Sequence, residues 1–291
     1  MMKIALVTYQ DNGKYSLINV TNEDDLLLDF LKSKGYQVTK EIWNDAAVKW
    51  EEYDFLILKS PWDYFDLIED FYTWLAKLED KKVRLFNPIS IVKWNADKHY
   101  LQEIERAGLK VTPSAFLTQG EQINLSNYFE LFNTEQLIIK PCVSGGSKNT
   151  FKVTPTNVDE ISNTIIQLIK NEDFIIQPFL KEIEDQGEWS FLFFNGKFSH
   201  AILKKAKAGD FRVQASFGGT VRPQNAPSNY LASAQLYVDQ FAKNCLYARV
   251  DGTIINEEFY LMELELIEPF LFLAEHKDSL TNYYEALKQL T

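Results

Sequence analysis

The chain has 291 residues, 46% hydrophobic and 24% charged, which excludes disorder and fibrous repeats and provides material for a core of two-domain size. Thirty Lys and Arg against 41 Asp and Glu leave a net charge of -11, so broad phosphate-backbone binding to nucleic acid is not expected. A bound polyphosphate would need a local basic cluster and metal ions. Cys142 and Cys245 stand apart without a C-x-x-C pair, which excludes a disulfide framework or zinc ribbon. No apolar run reaches the roughly 18 residues of a membrane span, and Gln10, Asp11 and Asn12 interrupt the first apolar run too early for a signal peptide. The expectation is a cytoplasmic protein with neither a membrane nor a nucleic-acid partner.

In chain order, Lys3 to Thr8 suits a buried strand. Thr21-Asn22-Glu23-Asp24 opens a capped helix with Leu27, Leu28 and Leu31 on its apolar face and a stop at Gly35. Gln37 to Ile42 and Phe55 to Leu58 read as strands, and Leu67 to Leu78 as a helix that buries Phe71, Trp74, Leu75 and Leu78. This β/α alternation predicts a parallel sheet over about 1–92, with ligand loops at the strands' C-terminal ends. Next comes a helix from about Asn95 to Ala107, stopped by Gly108 before Val111-Thr112-Pro113. Strands Leu137 to Lys140 and Thr150 to Val153 flank a glycine-serine loop. Helix Val158 to Lys170 and strand Phe174 to Gln177 complete a small αβ module. Trp189 to Phe194, Lys197 to Leu203, Tyr247 to Val250 and Tyr260 to Glu265 are strand-like, the first two joined at Asn195-Gly196. There is no internal repeat or long linker.

Motifs that are missing narrow the chemistry. No G-x-G-x-x-G follows the first strand, and neither G-x-x-x-x-G-K-[ST] nor G-x-S-x-G occurs, which disfavours dinucleotide oxidoreductases, P-loop NTPases and α/β-hydrolases. His99, His200 and His276 are scattered, which argues against a histidine-ligated catalytic zinc.

Lys140 closes an apolar strand and is followed by Pro141-Cys142-Val143-Ser144-Gly145-Gly146-Ser147. Backbone N–H groups of such a loop can approach phosphate oxygens, although a plain hairpin tip beside a snorkelling lysine accounts for the residues equally well. Gln177-Pro178-Phe179-Leu180 ends a strand at a proline, where the backbone can present a carbonyl and an amide to a flat heterocycle such as adenine. Glu184 and Glu188 follow as candidate ribose acids or as members of a solvated acidic loop. In Tyr247-Ala248-Arg249-Val250-Asp251 and Tyr260-Leu261-Met262-Glu263-Leu264-Glu265, period two puts Arg249 with Asp251, and Glu263 with Glu265. Their apolar surroundings require a cationic or metal partner, and three convergent carboxylates suit Mg²⁺ on phosphates; a solvent-exposed polar face is the alternative. Lys204, Arg212, Gln214, the Gly218-Gly219 pair and Arg222 add cations that could fork onto carboxylate or phosphate, or simply line a surface loop.

Taken in order from Lys93 to Leu273, these segments resemble the ATP-grasp superfamily. The resemblance implies an α/β (α+β) architecture: a Rossmann-like pre-ATP-grasp domain over 1–92, then a two-lobed ATP-grasp domain over 93–291 with a lid at about 111–177. It implies that Lys98 and Lys140 hold ATP phosphates, Ser144, Gly145, Gly146 and Ser147 cover them, and Gln177, Pro178, Phe179 and Leu180 form the adenine hinge. Glu188, with Glu184 as alternate, would take the ribose. Lys204 would bind phosphate, Arg249 would stabilise the transferring phosphoryl, and Asp251, Glu263 and Glu265 would hold two Mg²⁺, or Mn²⁺. Glu265 departs from the family's usual Asn. Arg212-x-Gln214 before Gly218-Gly219 resembles the glutathione synthetase branch, where this segment meets the acceptor carboxylate. Ser60-Pro61-Trp62-Asp63-Tyr64, Trp94-Asn95-Ala96-Asp97-Lys98 and Met262 to Pro269 resemble the cyclo-ligase group of cycloserine biosynthesis. Trp62, Asp63 and Tyr64 either touch substrate or pack as an aromatic helix entry.

The implied activity is ATP-dependent ligation of a small-molecule carboxylate to a nucleophile through an acyl phosphate, by a monomer or homodimer. A small-molecule kinase of the same fold and a non-catalytic nucleotide-binding module remain open alternatives.

Overall fold

The computed structural model describes residues 2–13, 22–207 and 218–291. The chain forms two compact units, Met1–Asn95 with Glu182–Thr291, and Ala96–Lys181. In chain order the elements are β1 (Lys3–Thr8), α1 (Glu23–Ser33), β2 (Gln37–Ile42), β3 (Phe55–Ser60), α2 (Ile68–Asp80), β4 (Leu85–Phe86) and α3 (Ile89–Asn95). Then come α4 (Tyr100–Arg106), β5 (Ala115–Leu117), α5 (Ser126–Leu131), β6 (Leu137–Pro141), β7 (Phe151–Val153), α6 (Val158–Leu168) and β8 (Phe174–Pro178). Last are α7 (Lys181–Asp185), β9 (Glu188–Phe194), β10 (Lys197–Lys205), β11 (Thr220–Pro223), α8 (Ser228–Phe241), β12 (Tyr247–Ile255), β13 (Glu258–Glu265) and α9 (Ser279–Leu290).

The first unit holds a parallel sheet ordered β2-β1-β3-β4 and an antiparallel sheet ordered β11-β10-β9-β12-β13. The expected cap of α1 is present: the Asn22 side chain accepts a hydrogen bond from the Asp25 amide at 3.1 Å, and Gly35 follows the helix at φ +89°. One core joins the two sheets. Ile4, Leu6 and Ile57 of the parallel sheet and Leu27 and Leu31 of α1 meet Leu192, Phe194 and Tyr247 of the antiparallel sheet and Tyr283 and Leu287 of α9. Each such side chain contributes about 1.5–3 kcal/mol by leaving water.

Polar links tie the same layers together. Asn87 donates to the Tyr247 and Leu266 carbonyls at 2.9 and 2.8 Å and accepts from the Leu246 amide at 2.7 Å. Asn95 donates to the Leu264 carbonyl at 2.7 Å and accepts from the Leu266 amide at 2.9 Å. Buried Lys59, at the end of β3, donates to Glu23 at 2.8 Å, and the Glu23 carboxylate also accepts from the Leu271 and Leu273 amides at 2.7 and 2.8 Å.

The second unit is built on an antiparallel sheet ordered β5-β8-β6-β7. Leu137, Ile139, Val153, Phe174 and Ile176 turn one face of it onto Ile165 and Ile169 from the α6 segment. The continuous helix expected over Asn95–Ala107 is absent. Helix α3 ends at Asn95, whose side chain is drawn onto β13, and α4 starts at Tyr100. Between them Asp97 accepts from the His99 amide at 2.9 Å, a local side-chain bond that competes with helix and leaves Lys98 in the break.

Candidate active site

The antiparallel sheet of the first unit divides its buried polar and apolar residues by strand alternation. Trp189, Phe191, Val250, Phe259 and Leu264 lie on the face covered by α8, with Trp189 against Tyr230 and Phe259 against Tyr237. On the opposite face, one end of the strands is apolar and packs into the shared core through Leu192, Phe194 and Tyr247. The other end carries charge. Register pairs Lys204 with Glu188, Ser190 with Asp251, Asp251 with Glu263, and Arg249 with Glu265, so the cluster comes from four adjacent strands.

Its hydrogen bonds are dense. The Arg249 guanidinium donates through Nε and Nη2 to Asp251 at 3.0 and 2.9 Å, through Nη2 to Glu265, and through Nη1 to the Phe270 carbonyl at 3.0 Å. Lys204 donates to Asp251 at 3.2 Å and pairs with Glu188. The Ser190 hydroxyl donates to Asp251 at 2.6 Å. Burial opposes charge on Asp251, yet Arg249 and Lys204 prevail and hold its carboxyl down to about 2. Glu265 behaves in the opposite way: burial first, then Asp251 and Glu263, against Arg249, push it up to about 7. Burial also raises Glu188 despite Lys204, with Asp251 adding to the rise.

Among the described residues, Glu188, Asp251 and Glu265 pair with Lys204 and Arg249, and register sets the Glu263 carboxylate beside Asp251. The reluctance of Glu265 to ionise is the electrostatic signature of a cluster short of positive charge. An oxygen-rich donor set with that deficit fits a divalent cation.

In the second unit, Leu137 and Ile139 face the core, so Ile138 and Lys140 face the other way, and register puts Gln177 and Lys152 beside Ile138 on that same face. The Lys152 ammonium lies 4.0 Å from the Phe179 ring centroid. Buried Lys98 donates from its ammonium to the Ser144 carbonyl at 2.9 Å, and its amide donates to the Cys142 carbonyl at 3.0 Å. The Lys98 segment and the Ser144–Ser147 loop are thus joined, and the loop turns through positive φ at Gly146 and Ser147.

The Gln177 side chain donates to Ser114 at 3.0 Å. Pairing does not stop at Pro178 as the sequence suggests, because the Phe179 amide still donates to the Gln136 carbonyl at 2.9 Å. Leu180 supplies the first amide beyond the ladder.

Glu188 is buried in the cluster, whereas Glu184 is exposed on α7. Trp62 donates to the Glu268 carbonyl at 3.2 Å, Asp63 accepts from Trp43 at 2.7 Å, and buried Tyr64 packs on Phe65 and Phe71. Asp63 and Tyr64 thus pack within the aromatic helix entry, with Tyr64 also in electrostatic reach of Glu268, Glu263 and Glu265. Arg212 and Gln214 lie outside the described residues. Sequence reasoning missed Ser190, a polar position in an apolar strand, and Lys152, legible only as the odd residue of Phe151-Lys152-Val153.

Residues 104–269, more than half of the chain, match the family described as the prokaryotic glutathione synthetase ATP-grasp domain. The chain belongs to this ATP-grasp family. It is an ATP-grasp ligase, an enzyme class that binds ATP with a divalent metal. Residues 4–87 match the N-terminal domain of D-cycloserine synthetase DcsG. Over 282 residues the chain is 25% identical to the cycloserine biosynthesis protein DcsG of Streptomyces lavendulae, covering 90% of this chain and 92% of that one. The crystal structure of D-cycloserine synthetase DcsG superposes with a TM-score of 0.86 at 23% identity, over 99% of this chain and 100% of that one. The ATP complex of D-alanine–D-alanine ligase from Bacillus anthracis gives 0.68 at 16% identity, over 100% and 96%. The ATP-grasp fold thus extends over the whole length. No helix among the described residues is long and apolar enough to cross a membrane.

Proposed function

We propose that this ligase activates the carboxylate of an amino acid or small peptide-like molecule with ATP and joins it to an amine or similar nucleophile. A carboxylate oxygen takes the γ-phosphoryl and ADP leaves. The nucleophile then attacks the acyl carbon of the acyl phosphate and inorganic phosphate departs. The observation that carries this reading is the charge deficit of the four-acid cluster, with the Glu265 carboxyl pushed up to about 7. The cluster offers charge to phosphoryl oxygens and metal; among its described residues the one hydroxyl, Ser190, is committed to Asp251, which suits a reaction without a covalent enzyme intermediate.

Each residue then has a task. Asp251, Glu263 and Glu265 would hold the divalent ions, two Mg²⁺ in this reading with Mn²⁺ as a substitute, whose chemistry is to neutralise phosphoryl oxygens during transfer. Arg249 offers its guanidinium to the moving phosphoryl, and Ser190 fixes the Asp251 carboxylate. Lys98, Lys140 and Lys204 bind phosphates under the Ser144, Gly145, Gly146 and Ser147 loop. Gln177, Pro178, Phe179 and Leu180 hold adenine, Glu188 takes the ribose with Glu184 as the lesser candidate, and Arg212 meets the acceptor carboxylate. A lid over about 111–177, following an N-terminal domain of about 1–92, excludes water from the acyl phosphate. Similarity to a cycloserine biosynthesis protein supports an amino-acid-derived acid. A cytoplasmic monomer or homodimer acting on small molecules, without nucleic-acid or membrane partners, completes the reading.

The test is an ADP-release screen with Mg²⁺ and ATP over amino acids and dipeptides, with hydroxylamine as a general nucleophile. Acid-dependent ADP release with hydroxamate formation is expected. A stable phosphorylated product that ignores hydroxylamine would mark a kinase, and ATP binding without turnover on any acid a non-catalytic module.

A further inference from the structure

A second set of metal-ligating side chains lies apart from the carboxylate cluster, within the second unit. One ligand atom each of Asp97, His99 and Cys142 lies within 4.8 Å of the other two. Ligands at zinc-like bond lengths around a tetrahedral ion stand about 3.6 Å apart, so small side-chain rotations would bring the three onto one cation. The set is chemically mixed. A thiol and an imidazole beside a single carboxylate select a borderline-soft ion such as Zn²⁺ or Co²⁺ over Mg²⁺, which requires oxygen ligands.

The surroundings of His99 suit ligation. Its Nδ1 edge faces Asp97 Oδ1 at 2.7 Å, while Nε2 lies 4.0 Å from Asp173 Oδ2 on the opposite edge. An imidazole that binds metal through one nitrogen and presents the other N–H to a carboxylate is the usual orientation at zinc sites. Asp173 is itself positioned, accepting from the Gln119 amide at 2.6 Å, and the His99 ring stacks on Phe116 at 4.5 Å. Cys142 is buried, but Asp97 and His99 are each more than a third exposed, so an ion has a path to the sulfur from their side.

We propose that Asp97, His99 and Cys142 form a binding site for a soft divalent cation, Zn²⁺ in the first instance, independent of the nucleotide's metal. Binding exchanges the Cys142 S–H bond for a sulfur–metal bond, and the proton passes to buffer. The ion would staple the residues on both sides of Lys98 to the end of β6, where the Lys98 amide already meets the Cys142 carbonyl.

The experiment uses the full chain, free of any affinity tag, stripped with chelator and without ATP, so its result does not depend on the ligase reading. Co²⁺ titration followed by absorption is expected to give one ion per chain with a near-ultraviolet thiolate-to-cobalt band. The band should persist in excess Mg²⁺ and in Cys245→Ser and vanish in Cys142→Ser. His99→Gln, at a partly exposed position, should weaken Co²⁺ tenfold or more. Zn²⁺ should raise the melting temperature of the wild type and not of His99→Gln. Absence of the thiolate band in the wild type, or its survival in Cys142→Ser, overturns the proposal. Should Cys142→Ser fail to fold, unchanged Co²⁺ affinity in His99→Gln overturns it as well.

Discussion

Replacing Glu265 by Gln tests whether the carboxylate cluster is short of positive charge. Gln keeps the shape of the protonated acid and removes its ability to ionise. In the folded chain the Glu265 carboxyl sits near 7 rather than its usual 4.5, because burial, Asp251 and Glu263 outweigh Arg249. At about 1.4 kcal/mol per pH unit, that difference of about 2.5 corresponds to roughly 3–4 kcal/mol favouring the protonated form. The side chain is 23% exposed and shares Arg249 with Asp251, so about 1–2 kcal/mol is a fairer expectation.

The stabilising preference for the proton is complete below about pH 4.5 and is lost as pH rises through about 7, so only at higher pH does the wild type carry the cost of the ionised group. In chelator at about pH 8, Glu265→Gln should melt above the wild type by roughly 2–8 °C, and the gap should close at about pH 5. Mg²⁺-dependent turnover should fall in the same variant, because the stabilising change removes a ligand of the proposed metal. A Glu265→Gln chain that melts below the wild type at the higher pH would refute the reasoning. It would mean that Arg249–Glu265 is a net stabilising pair and that the cluster needs no further cation.

Three other outcomes follow from named contacts. If Lys140 holds an ATP phosphate as proposed, Lys140→Ala should remove one charge-assisted bond of about 1.5–3 kcal/mol and weaken ATP binding roughly ten- to hundredfold by calorimetry; unchanged affinity would return this segment to a plain hairpin. Glu23→Gln disturbs a carboxylate that serves Lys59 and the Leu271 and Leu273 amides, and should lower unfolding free energy by about 3–5 kcal/mol in urea; a loss under about 1 kcal/mol would show Asp24 to be a sufficient partner for Lys59. His200, which burial lowers to about 4, keeps its stabilising neutral form above about 6.5 and loses that advantage as pH falls toward 4. Wild-type chain should lose about 2 kcal/mol between about pH 7 and 5 that His200→Gln does not lose, and equal losses in both would remove His200 from the account.

Much of the fold was legible where sequence carries a strong local period. Strands β1 and β2 begin and end where the pattern predicts, and α2 buries the four expected residues Phe71, Trp74, Leu75 and Leu78. The Asn195-Gly196 hairpin followed from its turn residues, both of which have positive φ. The turn between β12 and β13 did not, because Asn256 and Glu257 adopt positive φ with no glycine to announce it. The break at Lys98 was hidden for a different reason. Helix propensity is local, whereas the Asn95 side chain is claimed by β13 backbone about 170 residues further on. Period two alone put Arg249 with Asp251 and Glu263 with Glu265; that the two pairs meet, the cations that Asp251 takes, and the one Glu265 is left to share, depend on cross-strand register.

That register rests on a steric detail. Asp251 pairs with Glu263 but Gly252 pairs with Leu261, so Met262 is an extra residue in β13. Without this bulge, strict alternation would put Leu261 on the side of Glu263 and Glu265. With it, Phe259, Leu261 and Leu264 all reach the buried apolar face while both glutamates stay with Arg249 and Asp251. The bulge needs glycine opposite it: a Cβ on residue 252 would stand 2.3 Å from the Tyr260 carbonyl oxygen and 2.4 Å from the Phe259 ring. A backbone oxygen cannot yield as a flexible side chain can, so any larger residue at 252 has to separate β12 from β13 beside Asp251. Gly252, which bears no charge, thereby sets how the β13 carboxylates stand against Arg249 and Asp251.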